Sequence, residues 1–278
     1  MQSNLAFSMT GCRMLLGVYI IAAYTLYGGQ AASERGSQPE TASGETESAL
    51  RQTLANQESA LGPDHLVVSD TLEKLALLCT IRRCEVDPVP LARRSLAIRQ
   101  KMLGAEHPQV ARILNALATL CSQRGWYSQA EPMFRHALLI LEKSLGSWHP
   151  DLVAILNNLA VLYGTQLRYT EAEAMLQQAL LIREKSGNSS QSAVALRNLA
   201  DLFCISGQYA RAEPLFRQWL VTRERATAPA DSELAQVLLE DAFVLRKMRR
   251  KSEAAMSKAR AQSILGVNNQ RSVRNPCK

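Results

Sequence analysis

The sequence predicts an all-α chain, a right-handed α-solenoid of helix-turn-helix repeats. Three observations carry this. Gly62, Gly104 and Gly146 stand 42 residues apart, as do His65, His107 and His149, and Leu75, Leu117 and Leu159. Within each period two blocks alternate, both with apolar residues at helical spacing. The apolar material is leucine and alanine, since 47% of the chain is hydrophobic but only 5% aromatic. The runs of β-branched residues that sandwiches and barrels use are missing. A fixed period of this kind marks stacked units, each unable to bury its apolar face alone. Composition excludes other classes. With 21% charged residues the 278-residue chain is not disordered throughout. No long apolar run follows the first thirty or so residues, which excludes a polytopic membrane protein. Six cysteines are too few for a disulfide-stapled scaffold.

Residues 1–31 read as a signal peptide or membrane anchor. Arg13 precedes a mostly apolar run from Met14 to Tyr27. Gly29-Gln30-Ala31 then places small residues at −3 and −1 for cleavage after Ala31. The run is shorter than the ~20 residues of a bilayer span. No charge stands between Arg13 and Glu34, so an uncleaved anchor is the alternative. The chain is expected to be exported (periplasmic or secreted) or membrane-tethered, with a cytoplasmic location as the alternative. Residues 32–45, rich in Gly, Ser, Thr and Pro, read as a flexible linker.

Residues 46–265 read as the solenoid, an unpaired helix followed by five helix pairs. The first helix of the pairs, helix A, is carried by LGPDHLVVSDTLEKLALL, LGAEHPQVARILNALATL and LGSWHPDLVAILNNLAVL, then with drift by SSQSAVALRNLADLF and DSELAQVLLEDAFVL. Helix B is carried by YSQAEPMFRHALLILEKSLG, YTEAEAMLQQALLIREKSG and YARAEPLFRQWLVTRERA. Degenerate forms, VPLARRSLAIRQKMLG and KSEAAMSKARAQSILG, precede and follow these. Ile155, Leu159 and Leu162 share one helical face, as do Ala172, Leu176, Ala179 and Leu180. Pro108 and Pro150 suit first helical positions. Ser128 with Glu131, and Thr170 with Glu173, predict capping boxes. Gly62, Gly104, Gly146 and Gly187 predict helix stops. Ala118, Ala160, Ala200 and Ala242 share one slot of helix A, and Ala130, Ala172, Ala212 and Ala254 one slot of helix B. Small residues there let helix axes approach. Residues 266–278 read as a basic disordered tail.

The strings LNNLAVLY at 156–163, EAE at 171–173, ALLIREK at 179–185 and LG-x-x-HP at 103–108 and 145–150 resemble tetratricopeptide repeats of the 42-residue kinesin-light-chain type. The resemblance spans about 60–265. It implies that helix A lines a concave groove that takes a peptide or protein segment, with groove asparagines bonding the backbone and groove basic residues holding acidic side chains. The peptide-binding candidates are then Arg112, Asn115, Asn157, Asn158, Arg197 and Asn198. An amide offers both donor and acceptor to a peptide unit of any sequence. An arginine adds bidentate bonds to carboxylates. The same face also carries Asp70, Glu73, Lys74 and Asp201. A merely solvated helix face is the competing reading, and the default for the acids. Leu239 and Asp241 depart from the pattern, so the fifth pair reads as a cap.

No catalytic residue, cofactor or metal site is expected. The repeating histidines are one per repeat, too far apart to share an ion at ~2.1 Å bond lengths, so they read as helix starts. Cys79 and Cys121 fill the slot of Tyr163 and Phe203 and read as buried thiols, with a Cys79–Cys84 disulfide open in an exported chain. Phosphate-loop, G-x-G-x-x-G, H-E-x-x-H and G-x-S-x-G motifs are missing. Charge is concentrated at the end of the chain. Residues 243–278 hold ten basic residues and one acid, in a chain of formal charge +7. Lys247, Arg249, Arg250 and Lys251 form a basic patch, able to face an anionic surface. Aromatic interleaving is missing, so nucleic acid is the weaker partner class. Membrane contact is expected only through an uncleaved N-terminal segment. The expected function is a non-catalytic protein-interaction scaffold, the alternative a nucleic-acid-associated helical repeat.

Overall fold

A computed structural model of the chain describes residues 47–82, 86–186, 189–226 and 232–273. Among these residues every element is an α-helix: α1 (Glu47–Leu61), α2 (Leu66–Arg82), α3 (Pro88–Leu103), α4 (Pro108–Gln123), α5 (Tyr127–Leu145), α6 (Leu152–Thr165), α7 (Tyr169–Lys185), α8 (Ser189–Ile205), α9 (Tyr209–Ala226), α10 (Ser232–Lys247) and α11 (Lys251–Val273). The fold class is an all-α helical-repeat solenoid, with the even-numbered helices as helix A of each pair. α11 runs on to Val273, past residue 265 where the sequence placed its end. The signal or anchor segment, the linker, Cys84 and Gly187 lie outside the described residues. The chain divides into two compact units, Met1–Leu162 and Tyr163–Lys278, the division falling within α6.

In the first unit, α2 packs more extensively on α3, and α4 on α5, than α3 does on α4. Each pair is therefore a unit before it is part of a stack. Leu72, Ile113, Leu117, Phe134 and Ile140 are fully buried. The alanine slots work as expected, with Ala118 and Ala130 fully enclosed. In the first pair, serines take close-approach positions and satisfy each other. Ser69 Oγ and Ser95 Oγ are 2.9 Å apart, and Ser95 Oγ also donates to the Ser69 carbonyl at 3.1 Å. Cys79 and Cys121 are buried free thiols.

Helix boundaries follow local chemistry. Gly62, Gly104 and Gly146 end their helices at φ of 88–89°, which side chains resist. Their N–H groups return to the carbonyls of Glu58, Gln100 and Glu142. Each repeating histidine caps the next helix start: Nδ1 of His65, His107 and His149 accepts the N–H of Val67, Gln109 and Asp151. Pro108 opens α4, but α6 begins at Leu152, with Pro150 in the preceding turn.

The two predicted capping boxes are absent. α5 and α7 begin at Tyr127 and Tyr169, on Trp126 and Arg168, with no side-chain cap. The reason is the A–B turn. Trp126 N–H bonds the Cys121 carbonyl, and Arg168 N–H the Tyr163 carbonyl, both at 2.9 Å. That carries the chain from one helix directly into the next and leaves Ser128 and Thr170 inside the first turn.

In the second unit, α8 packs on α9 and α10 on α11, and Phe216 and Trp219 of α9 are fully buried. Ala172, Ala200 and Ala212 are fully enclosed, and Ala242 and Ala254 are buried. Arginines lie over the aromatic residue that ends helix A. Arg168 sits 4.3 Å from the Tyr163 ring centre, and Arg211 4.1 Å from that of Phe203.

Candidate binding face

The candidate groove residues lie on the A helices α4, α6 and α8, and of the six only Arg112 is exposed. In the first unit the structure brings three polar residues of α4 and α6 together. Asn158 Nδ2 donates to Asn115 Oδ1 at 2.8 Å and to Thr119 Oγ1 at 3.4 Å. Asn158 is 8% exposed and Asn115 half-buried. The Asn158 amide is thus spent on tying α6 to α4. Its neighbour Asn157 is 7% exposed, and its Oδ1 has no hydrogen-bond partner among the described residues. Arg112, one turn N-terminal to Asn115, is exposed. Adjacent asparagines therefore differ in state: one satisfied between helices, one with a buried carbonyl oxygen unpaired. Leaving such an acceptor unpaired is costly, and a ligand N–H would relieve it.

The acids of the first pair are not free. Arg99 of α3, 4% exposed, ion-pairs with Asp70 and, at 3.0 Å, with Glu73. Sequence reasoning missed Arg99 because it stands in helix B, in the slot that Leu141 fills one repeat later.

In the second unit, Arg197 is largely buried and turned onto carboxylates rather than outward. It reaches Glu240 at 3.0 Å, Glu233 at 3.4 Å and Asp201 at 3.9 Å. Arg223 of α9 also meets Glu233, at 3.0 Å. Burial, together with the facing Glu240 charge, pushes the Asp201 carboxyl well above the usual range. Burial likewise pushes Glu240 up, against the pull of Arg197. The same surroundings hold Arg197 firmly cationic: three carboxylates outweigh its desolvation. Asn198 is half-buried beside it. Glu233 and Glu240 could have been suspected from their place on the next A helix, α10, but not their joint grip on Arg197.

The basic patch is only partly a patch. Arg250 is held by Glu213 at 3.1 Å and by Glu253, which raise its basicity. Lys247 Nζ lies 5.4 Å from the centre of the Phe243 ring. Lys247, Arg249 and Lys251 are exposed. Among the described residues no group of three or more His, Cys, Asp or Glu side chains is placed to hold a metal. No helix among them is long and apolar enough to cross a membrane.

Comparison with known proteins agrees with the geometry. A family model described as tetratricopeptide repeat matches residues 89–143 and 151–220. No curated protein sequence matches the chain. Among solved structures, a Podosopora anserina protein of nearly identical TPR-like repeats, named after kinesin light chain, superposes with a TM-score of 0.66 at 22% identity, over 73% of this chain and 98% of that one. BtubC (BKLC) from P. vanneervenii gives 0.69 at 19% identity, over 86% and 96%. A Rap protein complexed with Competence and Sporulation Factor gives 0.54 at 12% identity, over 93% and 76%. At these identities the likeness is one of fold. Residues 89–143 and 151–220 are thus tetratricopeptide repeats, and the chain is a repeat protein similar in fold to those of kinesin-light-chain type.

Proposed function

We propose that this protein is a non-catalytic scaffold that binds an extended segment of a partner protein along the helix A face. The fold is one that typically serves protein–protein interaction, and a Rap protein of similar fold is known in complex with Competence and Sporulation Factor. One observation carries the finer reading: the unpaired, buried Oδ1 of Asn157 beside the Asn115–Asn158–Thr119 bridge. A backbone N–H of a bound segment is the donor that would satisfy it, with Arg112 exposed nearby for an acidic side chain.

The test is peptide display against the full chain, followed by affinity measurement on the enriched peptides. Asn157→Ala removes an acceptor that no protein group uses, so it is expected to cut affinity about tenfold. Its thermal midpoint should change little. Peptides bound equally by wild type and Asn157→Ala would sink this reading.

Residues 1–31 direct the chain out of the cytoplasm or tether it. Recovery of a chain starting at Ala32 supports the first, and a full-length soluble cytoplasmic chain sinks both. For nucleic acid, a steep fall of affinity with salt is the expected signature. The grip of Glu213 and Glu253 on Arg250 counts against it.

A further inference from the structure

We propose that the last helix pair carries a binding site for a primary ammonium group on a short apolar stem. It lies in the cleft of about 270 Å³ among α9, α10 and α11, with Asp241 in its wall. The site stands apart from the asparagines of the first unit and does not rest on the scaffold reading.

The starting observation is a misplaced carboxyl. At the position of Asp241 the four earlier pairs carry Leu75, Leu117, Leu159 and Leu199, all buried. Asp241 is equally buried, at 7% exposed. A carboxyl in a core leucine slot is costly unless it is paired. The protein supplies one bond, from Ser257 Oγ to Oδ2 at 2.8 Å. The other carboxylates lining the cleft hold cations: Glu213 takes Arg217 and Arg250, and Glu253 takes Arg250. Asp241 has no ion-pair partner among the described residues.

The cleft shows what would complete it. Leu220, Leu238 and Leu245 supply apolar wall beside the carboxyl, and Met256 of α11 stands exposed at the margin. An apolar stem fits against these, and a cation at its end meets Asp241. Oδ2 is already occupied by Ser257, so a single oxygen remains. That suits the point charge of an ammonium better than the two-oxygen fork in which a guanidinium pairs most strongly.

The charged groups around Asp241 are Glu213 and Arg217 from α9, Arg250 from the α10–α11 turn, and Glu253 and Arg260 from α11. Burial raises the Asp241 carboxyl above its usual range, and Glu213 adds to the rise, while Ser257, Arg217 and Arg250 oppose it. An arriving ammonium therefore competes with a proton, and binding should weaken as pH falls.

Titration of the full chain with n-butylamine, followed by amide NMR shifts, tests this, with n-butanol as the uncharged stem. Shifts are expected on α9, α10 and α11, with n-butanol at least about tenfold weaker. Asp241→Leu restores the leucine of the other pairs. It should raise the thermal midpoint and abolish the amine shifts, so loss of binding cannot be mistaken for unfolding. Equal binding of n-butylamine and n-butanol would overturn the site, as would shifts that persist in Asp241→Leu. N-acetyl-lysine methylamide separates the sources. Binding as tight as n-butylamine assigns the site to a partner's lysine, and weaker binding to a free amine; either upholds the ammonium contact.

Discussion

Gly125 and Gly207 sit in the A–B turns at φ of 77° and 76°. The equivalent turns use Leu167 and Arg249 at φ of 62° and 64°. The backbone shape is the same, but only glycine adopts it without cost. Leu167 is exposed, so little packing is lost by removing it. Leu167→Gly relieves roughly 1–2 kcal/mol of left-handed strain and gives back about 0.4–1 kcal/mol of unfolded-chain entropy. Denaturant unfolding should show it neutral to slightly stabilising. Gly125→Ala should instead destabilise by about 1 kcal/mol. At the same scale, Asn158→Ala removes the donor to Asn115 Oδ1 and Thr119 Oγ1 and should cost about 1–2 kcal/mol of stability. Asn157→Ala should cost much less. The sequence makes both asparagines visible as an outward pair, but says nothing about which is spent on a neighbouring helix, because the partners Asn115 and Thr119 belong to the preceding repeat.

Between helices, the cluster on α8 and α10 shapes the pH response of the second unit, together with Asp241 and Glu253. Asp201 and Glu240 are raised in the folded state, chiefly by burial. Their folded form holds protons that the unfolded chain has released above its carboxylate values of about 4. Stability therefore falls as pH rises through the raised folded values, and is recovered on acidification toward about 4. Asp64, Glu106 and Glu253 have the opposite sign. Lys101, Lys143 and Arg250 hold them low, so what they contribute is present above the unfolded value and lost as pH falls through the folded one. Thermal midpoints read against pH should thus improve on mild acidification and decline modestly at lower pH, since these pairs are exposed and solvent-screened. Asp201→Asn should flatten the mild-acid gain. Arg197→Ala leaves Glu240 and Asp201 without an ion-pair partner, while Glu233 keeps Arg223, and should cost about 3 kcal/mol. This grip was not legible from sequence. Arg197 reads as an outward groove base until Glu233 and Glu240 are placed beside it. Capping was misread for a related reason. Ser128 and Thr170 fit a pattern, but the backbone bonds of the A–B turn already start the helix.

Across the chain, the period was the most legible feature, because it rests on many weak signals in phase. Glycine stops, histidine caps and alanine slots recur with it, and each has a local physical cause. Repeat proteins approximate a sum of pair and neighbour terms, so the substitutions in different units should add. What the period does not encode is the use of each outward position, which depends on single departures such as Arg99, Arg197 and Asp241. Those departures are where binding and charge diverge from the repeat.

Hydrogen–deuterium exchange of the full chain, with and without a display-selected peptide, tests the central claim most directly. Slower exchange is expected around Asn115 on α4 and Asn157 on α6, and should be lost in Asn157→Ala. Protection confined to the B helices such as α5, or unchanged in that variant, would contradict binding along the helix A face.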